Sequence, residues 1–238
     1  MYKDNLIIQS FWFGTRLGPM EIMCIRSYLY HGHQFHLYVF NEVENIPPGT
    51  VVRDAADILS EGDIYKDSFG GYVNLSNLFR YTLLLKKGGW WVDMDTVCLQ
   101  PFNFSQKYVF SSESSDPYNR YMVNTTFIKS EAGAGFLHDC LAFLEQRGTA
   151  HIHWGELGVN LISRMIFRNQ LQEYICPSHY FCPVSAYQVR SFVEAGSPAL
   201  PGSYAIHWWN EIWRKLEIDK DGKFDDSSLY EILKRKFQ

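Results

Sequence analysis

Residues 74–96 read NLSNLFRYTLLLKKGGWWVDMDT, and the architecture of the chain is written most plainly in this stretch. Leu75, Leu78, Phe79, Leu83 and Leu85 recur at helical spacing, which predicts a helix with Asn74 as its cap and Gly88-Gly89 as its stop. Trp90 to Asp93 then predicts a buried strand running into two carboxylates, Asp93 and Asp95. An apolar strand cannot leave both acids unpaired, because uncompensated buried charge is strongly unfavourable, so a cation is expected at that end. A bend there lets acids at i and i+2 share one divalent ion, directly or through water, and oxygen ligands suit Mn²⁺ or Mg²⁺ better than Zn²⁺. Asn77 and Arg80 lie three residues apart on one face of the preceding helix, from which an amide and a guanidinium can reach a ligand held at the acids.

Outward from this stretch, helix and strand signals alternate. Leu6 to Phe13 predicts a buried strand, Pro19 opens a helix bearing Ile22, Met23, Ile25 and Leu29 to a stop at Gly32, and Gln34 to Phe40 alternates as a second strand. After the Pro47-Pro48-Gly49 turn come an extended Val51-Val52, a short helix and a polar loop from Glu61 to Gly71. Downstream, strands are expected near Tyr108 to Phe110, Val123 to Ile128 and Tyr204 to His207, with helices near Phe136 to Arg147, Gly155 to Phe167 and Leu229 to Phe237. This is an α/β pattern, a sheet with helices packed against it, and 238 residues without a linker or repeat read as one domain.

Composition narrows the function. A net charge of −4 argues against nucleic acid held by bulk electrostatics, so any bound phosphate must be gripped locally. The aromatic share of 16% suits stacking on sugar or base rings. Cys24, Cys98, Cys140, Cys176 and Cys182 are scattered and include no CxxC pair, which is expected of reduced thiols. The start lacks a signal-peptide pattern and no 18 apolar residues run together, so the expected place of work is the cytoplasm or a membrane surface facing it.

Asn74 to Tyr81, followed by Leu85 to Asp95, resembles the "SDxxRYxxLxxxGGxYxDxD" signature of DXD-containing sugar transferases, which include glycosyltransferase family 32 and, similarly, the glucosylating domains of large clostridial toxins. Ile7 to Gly14 resembles the family's first strand, "IIHQIWFG", and Ala205-Ile206-His207-Trp208-Trp209 its late His-Trp segment. The resemblance covers residues 5 to 105 well and implies a GT-A fold: a Rossmann-like mixed central sheet flanked by helices, with residues 1–105 as the nucleotide-sugar and metal half and 106–238 as the acceptor side. It further implies a UDP-sugar donor, Mn²⁺ and retention of configuration. On this reading Asp93, Asp95 and His207 hold the metal, Arg80 contacts donor sugar or phosphate, and Phe11 and Trp12 meet the nucleobase. Asn124 and Trp208 join the donor site, and Asp95, Arg80 and Asn77 carry the chemistry. Asn77 stands where the family has an acid, and an amide donates as well as accepts, which alters the hydroxyl pattern it prefers.

The resemblance implies a reaction that moves a hexose or N-acetylhexosamine to an acceptor hydroxyl in surface polysaccharide assembly, with the acceptor attacking the face from which the diphosphate leaves. Beside the main site, Glu156 in the cluster His151, His153, Trp154 and Glu156 is read either as a ligand contact or as a helix-start charge. Trp208, Trp209 and Trp213 are read as covering the site or as core. The basic face of Leu229 to Phe237 is read as a solvated surface or a peripheral contact with the membrane carrying a lipid-linked acceptor. A hydrolase using Asp93 and Asp95 is disfavoured, because adjacent carboxylates rarely reach the separation of about 5 Å that glycosidases need. A toxin-like effector or a non-catalytic carbohydrate-binding domain is the alternative from another class.

Overall fold

The computed structural model describes residues 3–66, 71–113, 122–149 and 151–237. A six-stranded sheet runs in the order β3 (Val51–Asp54), β2 (Gln34–Val39), β1 (Ile7–Phe11), β4 (Gly89–Val92), β7 (Val123–Ser130), β6 (Val109–Ser112). The first four are parallel, while β7 is antiparallel to both β4 and β6. Helices α1 (Pro19–Tyr30) and α6 (Leu229–Phe237), with the short α5 (Asn210–Lys215), lie on one face. Helices α2 (Val73–Lys87), α3 (Gly135–Arg147) and α4 (Leu161–Arg168) cover the other.

Strand periodicity distributes the large side chains. Trp90 and Val92 pack among the residues of α1 and α6, whereas Trp91 between them packs against α2, and Phe127 and Ile128 divide in the same way. Both tryptophans are buried, each contributing on the order of 2–3 kcal/mol of transfer free energy. The sheet with its two helical layers is the mixed α/β arrangement that the sequence predicts.

Connectivity decides where a ligand can sit. From β1 the chain goes out to β2 on one side, and β4 then pairs with β1 on the other, in register Ile8 with Trp90 and Gln9 with Trp91. Strand order therefore reverses between β1 and β4, and a crevice opens beyond their carboxyl ends, where Phe11 and Val92 finish.

Several boundaries differ from expectation. Helix α2 starts at Val73 with Tyr72 before it, so Asn74 is a buried residue of the first turn rather than a cap. The first strand ends at Phe11, leaving Trp12 and Phe13 free to turn into the crevice. The helix expected from Gly155 begins instead as a wide turn, Glu156–Asn160, because Gly155 is left-handed and Gly158 departs from helical geometry before α4 takes over. Of the polar loop expected over Glu61 to Gly71, residues 67–70 lie outside the described residues. Strand β5 (Thr96–Cys98), absent from the sequence reading, leaves the main sheet after a bend at Met94-Asp95 and pairs antiparallel with β8 (Ala205–His207) as a separate two-stranded sheet.

Gly88 makes the passage from α2 to β4 possible. Its φ is 64°, and a Cβ there would lie 2.6 Å from the Ala132 backbone nitrogen. Gly88→Ala is expected to lower unfolding free energy by about 2–4 kcal/mol, combining left-handed strain with a clash against fixed backbone, as urea denaturation would measure.

Candidate active site

Asp93 follows β4 directly and is the most heavily engaged acid of the crevice. Its Oδ1 accepts from Arg80 Nη2 at 2.7 Å and from Trp91 Nε1 at 2.9 Å, and its Oδ2 accepts from Thr126 Oγ1 at 3.0 Å. Arg80 reaches it from α2, donates from Nη1 to Asn77 Oδ1 at 2.8 Å, and lies 5.0 Å from the Trp91 ring centroid. Helix, central strand and neighbouring strand thus converge on one carboxylate.

Asp95 is held differently. The ladder between β5 and β8 sets Thr96 opposite His207, and the Trp208 N–H donates to the Asp95 carbonyl at 2.9 Å. His207 Nε2 then stands 3.2 Å from Asp95 Oδ2, which also accepts from the Asn210 backbone N–H at 2.9 Å. Burial alone would raise Asp95, but the His207 charge outweighs it and holds the carboxyl below its usual range. Burial likewise works against charge on His207, yet Asp95 overrides it and holds the imidazole well above the ordinary histidine range.

Trp209 completes this corner at a conformational cost. Its φ of 59° is left-handed, worth about 1–2 kcal/mol of strain for a non-glycine residue. That turn aims the Asn210 N–H at Asp95 and lays the Trp209 ring over His207, with centroids 4.0 Å apart. Its indole N–H is anchored on the Val184 carbonyl at 2.9 Å.

Oxygen or nitrogen atoms of Asp93, Asp95 and His207 all lie within 4.8 Å of one another, a spacing that one divalent ion can bridge. Two carboxylates and an imidazole, with the imidazole in place to exchange its proton for a metal, fit Mn²⁺ or Mg²⁺ and equally a water-rich coordination sphere. These residues line a cleft of about 790 Å³, wide enough for a nucleotide sugar together with part of an acceptor.

The cleft gathers Phe11, Trp12, Asn77, Arg80, Asp93, Asp95, Asn124 and His207, all expected from the sequence. Phe11 is stacked on Phe79 at 4.1 Å, so its ring backs the cleft while Trp12 is half-buried at the surface of it. Trp208 is a correction: it is fully buried against Phe192 and Tyr230, because strand alternation sends it to the face opposite His207. Trp213 lies in the same core. Glu156 is bound to Arg147 and to the His153 N–H and does not line the cleft, whereas His153 and Trp154 do. Thr126, Glu113 and Glu21 also line it and were not anticipated. Thr126 was within reach of strand reasoning, since it is two residues from Asn124 and shares its face; Glu113 and Glu21 carry no local signal.

Residues 21–116 match the family described as glycosyltransferase sugar-binding region containing DXD motif. That stretch, less than half of the chain, is what is similar to the family. The match runs from within α1 through Asp93 and Asp95 past the end of β6, while β1, β7 and β8, which complete the crevice, lie outside it. In solved structures the chain is similar to the PaToxG glycosyltransferase, at 14% identity over 69% of each chain with a TM-score of 0.53. It is also similar to the apo-form glycosyltransferase GlyE of Streptococcus pneumoniae TIGR4, at 11% identity over 97% of this chain and 62% of that one, with a TM-score of 0.51. No curated protein matches the chain in sequence. The fold is therefore the GT-A glycosyltransferase fold that the resemblance implies. Among the described residues, no helix is long and apolar enough to cross a membrane.

Because Arg80 is almost fully buried, removing it strands the Asp93 carboxylate. Arg80→Met is expected to destabilise the fold by about 3–4 kcal/mol, and Asp93→Asn in the same chain to recover part of that loss, a coupling that a double-mutant cycle on denaturation midpoints measures.

Proposed function

We propose that the chain is a metal-dependent glycosyltransferase that moves a hexose or N-acetylhexosamine from a UDP-sugar to an acceptor hydroxyl with retention of anomeric configuration. The observation that carries this reading is the convergence of Asp93, Asp95 and His207 in a cleft at the switch point of the sheet, beside a buried arginine. Asp95 and His207 would hold the divalent ion, with Asp93 sharing it or turning to the ribose and sugar. The ion would supply a Lewis acid at the departing diphosphate.

The chain's own groups account for the rest. Breaking the anomeric C–O bond builds negative charge on the diphosphate, and the Arg80 guanidinium, already fixed by Asp93 and Asn77, needs no reorganisation to face it. Trp12 offers a ring at the end of β1 for the nucleobase. Trp154 and Tyr72 line the same cleft near α2 and suit an acceptor saccharide. With donor and acceptor in contact, the acceptor hydroxyl attacks from the side the diphosphate leaves, and a phosphate oxygen takes its proton, so no protein nucleophile is required. Surface polysaccharide assembly at the cytoplasmic side of a membrane is the setting we propose.

Lys234 and Arg235 on α6 are engaged by Glu231 and Asp226, which supports the solvated reading of that helix over a basic membrane contact.

UDP with Mn²⁺ is expected to raise the melting temperature, by the equivalent of about 2–3 kcal/mol at a hundredfold excess over Kd, while either one alone has a much smaller effect. Asp95→Ala should keep its fold and lose that shift. A folded Asp95→Ala that still responds fully, or a wild type that hydrolyses none of UDP-Glc, UDP-Gal, UDP-GlcNAc and UDP-GalNAc, would remove the basis for the proposal.

A further inference from the structure

Glu113 comes immediately after β6, its backbone N–H donating to the Met122 carbonyl at 3.1 Å, and its side chain lines the cleft. Asn124 Nδ2 donates to its Oε1 at 3.0 Å. Among the described residues the carboxyl has no second hydrogen-bond partner and enters no ion pair. Burial pushes its pKa up, an effect that the His207 charge and the Asn124 hydrogen bond only partly offset. A half-buried carboxyl that lines a cleft and has one amide partner among the described residues keeps acceptor capacity for a ligand.

Its position is fixed relative to the acids. Asn124 Oδ1 accepts from the Thr126 N–H at 2.5 Å, and Thr126 Oγ1 donates to Asp93 Oδ2 at 3.0 Å. A continuous hydrogen-bonded chain therefore runs from Glu113 through Asn124 and Thr126 to Asp93. On α2, Asn77 accepts from Arg80 at its Oδ1 and lines the cleft with an amide, which carries no charge. The acidic acceptor that the family signature has at that helix position is missing, and Glu113 brings one into the same chamber from another wall.

We propose that Glu113 is a specificity-determining residue whose carboxyl accepts a hydrogen bond from a ring hydroxyl of the donor sugar, with Asn124 holding it in place. The proposal rests on the glycosyltransferase reading above. No covalent step is involved.

Glu113→Gln tests it with little disturbance, since the glutamine Oε1 still accepts from Asn124 while an NH₂ donor replaces the acceptor facing the sugar. Thermal stabilisation by UDP and Mn²⁺ should match wild type, while kcat/KM for donor hydrolysis falls about ten- to hundredfold, and the preference between UDP-glucose and UDP-galactose, or their N-acetyl counterparts, changes. A panel of monodeoxy donors provides the second measurement, which needs only the wild type. Removing one particular hydroxyl should cost the wild type a similar factor, and Glu113→Gln should lose nothing further on that donor. Wild-type rates in Glu113→Gln on all donors, loss of the UDP response in that variant, or indifference of the wild type to every deoxygenation would each overturn the assignment. A wild type with neither a UDP response nor donor hydrolysis would instead overturn the transferase reading and this inference together.

Discussion

The ion pair between Arg80 and Asp93 is the constraint from which the rest of the site is built. A carboxylate at the end of a buried strand needs a fixed countercharge, and a guanidinium supplied by the helix just before that strand is the shortest route to one. The pair locks α2 to β4, and the tight passage at Gly88 keeps the two elements close enough for it to form. Asp93 also accepts from Trp91 and Thr126, so the position of β7 is referred to the same atom pair. Rigidity of this kind suits the role proposed for Arg80, facing a diphosphate without rearranging.

The second half of the site depends on a contact of a different nature. His207 lies 112 positions after Asp95, and the small antiparallel ladder of β5 and β8 brings their side chains to 3.2 Å. The left-handed turn at Trp209 then brings a backbone donor to Asp95 and an aromatic lid to His207. Strain there is compensated by a carboxylate bond, an indole anchor on Val184 and ring packing, which together exceed what the turn costs. The PaToxG and GlyE glycosyltransferases share the fold at low identity, which agrees with a scaffold that tolerates wide sequence change.

Within one element, sequence periodicity was a good guide. The apolar spacing of α2, the Gly88-Gly89 stop, the strand carrying Trp90 and Trp91, and the bend at Met94-Asp95 are all local consequences of propensity and pleat, and the structure has them with shifts of a residue or two. Asn77, Arg80, Asp93 and Asp95 were legible for the same reason, since 3.6-residue and two-residue periods place them relative to one another. The structure departs from local expectation where two local rules compete. Asn74 has a capping side chain, yet the helix begins before it; Gly155 opens a helix on paper, yet its left-handed φ and the bent Gly158 produce a wide turn that docks under Asn77, where Tyr81 bonds the Leu157 carbonyl at 3.0 Å.

What the sequence by itself determined, then, is the α/β pattern, the strand ending in two acids and the helix that answers them, because each is set by interactions spanning a few residues. Only the tertiary structure decided that Trp208 belongs to the core while Trp209 covers His207, that Glu156 serves Arg147, and that Glu113 stands in the cleft. Those outcomes follow from which face a strand turns to its neighbours and from pairings made across many tens of residues. Such pairings are selected by the packing of the whole sheet, and no local period encodes them.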